Sequence, residues 1–191
     1  MDKLFRYAKI AAIITIVSAA LFALLQLVWI FTGNNWSFFS LVLNVVEFAT
    51  IAVFGSLICK FSAKGSPLRI PAMIGIITAA IGIAICITYV PYICTRIEMI
   101  SICAIGFSIC FIWLSKYFND KKIKQLCIAY PVFYALILIF GFTFIEEIFW
   151  YYCYEDNSYF VILCTLCTLL VTLRMITLSA FYHMFYKMST K

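Results

Sequence analysis

The segment 37–60, SFFSLVLNVVEFATIAVFGSLICK, holds a carboxylate deep inside an apolar run. Ser37, Ser40, Asn44 and Glu47 recur at spacings of three, four and three, which puts them on one face of a helix. That face continues without charge as Ile51, Gly55 and Ile58. A helix starting at Ser37 carries Glu47 roughly 15 Å along its axis, half of a ~30 Å hydrocarbon core. An ionisable group there costs about 2.5–3.5 kcal/mol on insertion scales and seldom faces lipid, so other helices are expected to cover it. Gln26 and Asn44 each fall about 9–10 Å below the outer end of their helices, a depth at which the two amides can pair. Thr165 and Thr168 reach similar depths. With Glu98 and the Glu146-Glu147 pair nearer the surface, these residues can line an acidic cleft open to the outside. Such a cleft attracts cations, and the carboxylate at its base suits a proton carrier or a cation site. The competing expectation is a hydrogen-bonded Glu47 that only fixes helix packing, with Glu146-Glu147 as an interfacial anchor.

Cysteine offers a second chemistry. Of nine cysteines, Cys59, Cys86, Cys103, Cys110 and Cys127 fall inside apolar helices, where a thiol packs as a small hydrophobe. Cys94 and Cys153 fall in outer loops and can bridge in an oxidising compartment. Cys164 and Cys167 make a C-x-x-C a few residues into the last apolar run. A loop pair beside such a motif resembles the layout of membrane thiol oxidases that pass electrons to a quinone; six helices where that layout has four argue against membership. Other chemistry is missing. A single His excludes multi-His zinc sites and disfavours a Ser-His-Asp set. There is no G-x-S-x-G and no phosphate-cradling glycine loop. No cofactor or metal site is expected.

These residues ride on a membrane chain. Of 191 residues 66% are hydrophobic and 12% charged, about half the charged fraction of a soluble domain. The expected fold is all-α: a polytopic integral membrane protein, residues 1–191 forming one domain of six transmembrane helices with short loops. The spans fall at about 8–32, 37–60, 70–90, 96–115, 125–149 and 158–176. The N-terminal stretch imitates a signal peptide, but its apolar run continues to Phe31 and is expected to stay as the first helix. Ala8, Ala12, Ala19 and Ala23 on helix one, and Gly75, Ala79 and Gly82 on helix three, are small-residue faces for close helix approach. Pro131 falls in an early turn of helix five. Arg174 lies about 27 Å along a helix from Asp156, so it is expected to snorkel to the inner headgroups; the alternative is a long reach to Glu47. Residues 177–191 then form a cytoplasmic interfacial tail, with Met175, Leu178, Phe181, Tyr182 and Phe185 on the apolar face of an amphipathic helix and His183 on the other.

Orientation follows from basic residues. Six spans put Lys3, Arg6, Lys9, Lys60, Lys64, Arg69, Lys116, Lys121, Lys122, Lys124, Lys187 and Lys191 on one side and Arg96 on the other. Both termini are therefore expected in the cytosol, with the chain in the cell (inner or plasma) membrane. The net charge of +6 is spread among loops with no basic face, so nucleic acid is not expected as a partner. The lipid bilayer is, together with a second copy or a partner membrane subunit seated on the small-residue faces. Three functions remain: a small-solute or cation binding or transport component built on Glu47, a non-catalytic scaffold or accessory subunit, and a quinone-linked thiol oxidoreductase.

Overall fold

The computed structural model describes the backbone of residues 2–32, 37–88, 93–151 and 157–188, and the side chains of 3–28, 42–87, 102–140, 162 and 165–188. The described residues form six α-helices and no strand: α1 (Asp2–Thr32), α2 (Ser37–Phe61), α3 (Arg69–Thr88), α4 (Ile93–Ser115), α5 (Lys121–Tyr151) and α6 (Asn157–Lys187). Each helix packs on its neighbours in sequence, and α6 returns to α1, closing a ring. Five helices carry stretches long and apolar enough to cross a bilayer: Lys3–Val28, Val42–Phe61, Arg69–Ile87, Lys121–Phe140 and Thr165–Lys187. In α4 the described apolar part is Ile102–Ser115. The outward faces are aliphatic, with Leu24, Ile87 and Ile105 60%, 69% and 60% exposed, a surface suited to lipid and not to water. Together these features make the chain a multi-pass membrane protein.

Local chemistry sets the helix ends. Asp120 caps α5, its Oδ1 accepting from the amides of Lys122 (2.8 Å) and Ile123 (3.3 Å), so the helix starts four residues before the expected 125. Pro131 consequently lies within the helix and not in an early turn. It has no N–H to offer the Cys127 carbonyl one turn back. Arg69 ties α3 to α2 by donating from Nε (3.1 Å) and Nη2 (2.6 Å) to the Cys59 carbonyl, which satisfies an acceptor at the end of α2.

The small-residue faces are used inside the chain. On α1, Ala8, Ala12 and Ala19 are buried, and the Ser179 hydroxyl of α6 donates to the Ala12 carbonyl at 2.7 Å. On α3, Ala79 is buried, Gly75 faces Cys110 of α4 and Gly82 faces the Phe48 ring of α2. Ala8, Ala12 and Ala19 on α1 and Gly75, Ala79 and Gly82 on α3 thus pack inside the chain, while Ala23 is half-buried.

The largest departure from expectation is α6. It does not stop near 176; it continues unbroken to Lys187. Met175, Leu178, Phe181, Tyr182 and Phe185 turn into the ring, so no interfacial amphipathic tail begins at 177. Aromatic contacts explain why. Phe54 of α2 meets Phe181, Tyr182 and Phe185 edge-on with centroids 5.7, 5.1 and 5.0 Å away. Phe111 and Phe118 close on Phe181 from α4 and the loop after it, and Phe5 of α1 packs on Phe185. Such pairs contribute about 0.5–1.5 kcal/mol each beyond area burial. They plug the ring at the end where α1 and α5 begin and α2, α4 and α6 finish.

The tightest backbone approach tests this packing. A Cβ at Gly55 would stand 2.9 Å from the Ala72 carbonyl oxygen and 2.9 Å from Ile76 Cγ1. Gly55→Ala is expected to force α2 and α3 apart and to cost about 1–3 kcal/mol, read as a lowered unfolding temperature of the purified protein in detergent. An unchanged midpoint would show that the seam has slack.

Candidate functional site

Glu47 is 0% exposed and Arg174 2%, and the two are ion-paired: Arg174 Nη2 donates to Glu47 Oε2 at 2.5 Å. The second carboxylate oxygen accepts from the Tyr130 hydroxyl at 2.5 Å and the Tyr134 hydroxyl at 3.4 Å. Arg174 Nη2 also donates to Asn44 Oδ1 at 3.2 Å, and the guanidinium lies 4.2 Å from the centroid of the Tyr134 ring. Phe111 packs on Tyr130 and Phe107 on Tyr134, so aromatic rings from α4 back the hydroxyls. Beneath the carboxylate, Thr50 Oγ1 donates to the Glu47 carbonyl (2.8 Å) and Tyr7 of α1 donates to the Thr50 carbonyl (3.2 Å). Among the described residues around the pair, Arg174 Nε and the Tyr182 hydroxyl are buried with no hydrogen-bond partner.

Helix register brings these groups together. Glu47 lies thirteen residues before Lys60 and Arg174 thirteen before Lys187. Because α2 and α6 run the same way in the ring, both side chains arrive about 20 Å from their terminal lysines, at one height. Tyr134 stands thirteen residues after Lys121 on the oppositely directed α5 and reaches that height too. Arg174 does not snorkel. It belongs to the stripe 174, 178, 181, 185, whose other members are all buried, and it points inward with them.

Of the residues expected to form a cleft, the structure brings Glu47 and Asn44 together, with Arg174 between them. Gln26 is part-buried on α1 and has no hydrogen bond to this cluster. The side chains of Glu98, Glu146, Glu147, Cys94 and Cys164 lie outside the described residues, as does Cys153. Cys167 is a free thiol, and Cys103, Cys110 and Cys127 are buried free thiols. Among the described residues no group of three or more His, Cys, Asp or Glu is placed to hold a metal ion. Sequence reasoning missed Tyr130 and Tyr134. Their signal was the i, i+4 spacing around Pro131, which puts both hydroxyls on one face of α5.

The cluster is made for an anion. Every described group that hydrogen-bonds the Glu47 carboxylate is a donor, so a cation at that carboxylate would have to displace the guanidinium. Comparison with protein families, curated proteins and solved structures finds no match for this chain.

Two expectations follow. Arg174→Met leaves Glu47 buried without its counter-charge and should cost about 3–5 kcal/mol, whereas Glu47→Gln/Arg174→Gln should recover most of that loss in detergent unfolding. Equal losses in single and double variants would mean the pair does not act as a unit. Tyr130→Phe removes a short bond to a charged acceptor and should cost about 1.5–3 kcal/mol, more than Tyr134→Phe with its longer bond. The reverse order would reassign the main hydroxyl donor.

Proposed function

We propose that the chain is a solute-binding or transport component of the cell membrane, with six spans, both termini in the cytosol and the Glu47–Arg174 pair as its working site. The observation that carries this reading is a charge-compensated ion pair at mid-height of a closed apolar ring, joining α2 to α6 and, through two tyrosines, to α5. A buried ion pair is no more stabilising than good apolar packing in the same volume. Ionisable groups inside spans face interiors and mark solute or proton paths. The site is therefore the pair, and a solute works on it by opening it. Orientation rests on the basic residues gathered at the plugged end.

The accessory or scaffold reading has its own support, since both Glu47 oxygens are bonded and neither member of the pair meets solvent. Infrared difference spectroscopy on the reconstituted protein separates the two. Sodium, potassium, small neutral solutes and small anions are perfused in turn, and the Glu47 bands are assigned against Glu47→Gln. A solute that shifts those bands supports binding. Bands indifferent to every probe would overturn it and leave the pair as a packing device. For topology, an impermeant dye should fail to label a tag at either terminus in intact cells.

A further inference from the structure

Resting on that reading, we propose that the solute is a small carboxylate, bound by the Nε/Nη2 edge of Arg174 and accompanied by one proton that neutralises Glu47. The nest around Glu47 consists of two tyrosine hydroxyls and an arginine edge, the groups that recognise carboxylates, and it already holds one: the chain's own. Its grip is incomplete. Arginine takes a carboxylate in bidentate fashion through two parallel N–H bonds on one edge of the fork. Here Glu47 gives only Oε2 to Nη2, while its other oxygen turns to Tyr130, and Nε on the same edge is buried with no partner. Nη2 already gives one hydrogen to Glu47 and one to Asn44, so a ligand with two equivalent oxygens would take the unfilled Nε and replace Glu47 at Nη2, which the neutralised carboxyl can release.

Charge balance supplies the proton. A carboxylate arriving on Arg174 would set two anions against one cation in an apolar ring. Transfer of one proton from solution to a Glu47 oxygen restores neutrality, and the neutral carboxyl keeps its bond from Tyr130. The other titratable groups around Glu47 are Tyr182 of α6, Tyr130 and Tyr134 of α5, Cys103 of α4, Cys86 of α3 and Tyr7 of α1. All are phenols or thiols, which are uncharged near neutral pH, so among the described residues Arg174 alone compensates the carboxylate. Anion and proton then enter and leave together.

The test uses the full chain in lipid nanodiscs. Carbon-13-labelled acetate, lactate and succinate are compared with inorganic phosphate, chloride and choline, by isotope-resolved infrared bands and by titration calorimetry. At least one carboxylate should bind, with affinity rising about tenfold for each unit the pH falls while free Glu47 stays ionised, because one proton binds with the anion. Glu47→Gln should bind the same carboxylate with no such slope. Arg174→Lys, which keeps the charge and loses the fork, should bind at least about tenfold more weakly. If that variant does not fold, the slope and its loss in Glu47→Gln decide alone. Binding of phosphate, chloride or choline without a carboxylate overturns the proposal, as does carboxylate binding with equal slopes in wild type and Glu47→Gln. A cation or neutral solute that shifts the Glu47 bands where carboxylates do not would sink this inference and leave the transport reading standing. Silence from every probe would remove both.

Discussion

Arg174 and Glu47 share the interior of a ring whose other buried residues are mostly apolar, with a few tyrosines, threonines and a serine among them, and their 2.5 Å contact constrains everything around it. Neither charge can be solvated there, and separating them would leave two uncompensated ions at several kcal/mol each. The ring must therefore hold α2 and α6 in one register, with Glu47 and Arg174 at equal distances from the basic ends of their helices. Tyr130 and Tyr134 follow from the same need. A carboxylate has more lone pairs than one guanidinium nitrogen can use, and α5 brings two hydroxyls to the remaining oxygen.

The packing around the pair divides by height. Toward the basic end, Phe54, Phe111, Phe118, Phe181 and Phe185 fill the ring with interlocking edges, which excludes water from that side of the ion pair. Between adjacent helices the contacts are small. Ala12 takes a hydroxyl bond from Ser179, and Gly55 lets the Ala72 carbonyl come close. In a bilayer, where lipid is as apolar as leucine, such close approach and interhelical bonds do the work that hydrophobic burial does in water. Small residues set the helix spacing, and large rings then fill the space this spacing leaves.

Much of this was legible in the residues. The apolar runs marked the helices, and α2 begins at Ser37 as the spacing of its polar stripe implies. The inward placement of Glu47 and Asn44 came from the same stripe. Arg174 was harder because arginine near the end of an apolar run usually snorkels, and a depth measured from Asp156 placed it at the headgroups. Measured from Lys187, it stands level with Glu47. The periodic run Leu178, Phe181, Phe185 also marks the face it shares, but that face fits a surface helix equally well until α2 and α4 present rings to meet it. Gln26 has a matching depth and is part-buried on α1, but makes no hydrogen bond to the cluster. Depth follows from counting residues, but azimuth depends on which helices become neighbours, and only the closure of α1 on α6 decides that.

The arrangement of donors separates a packing device from a working site. A pair selected only to fix register would use its hydrogen bonds fully, because each unmet buried donor costs about 1–3 kcal/mol. The Glu47 side meets that standard, with both oxygens bonded. The Arg174 side does not: Nη2 is shared between Glu47 and Asn44 while Nε on the same edge has no acceptor. Rotating Glu47 to take both nitrogens would fill that edge but lengthen the short Tyr130 bond, so the two tyrosines hold the carboxylate away from the grip arginine prefers. A second acceptor on that edge would relieve the mismatch without moving either tyrosine. The asymmetry ties the site's unmet donor to the same geometry that holds Glu47 in place.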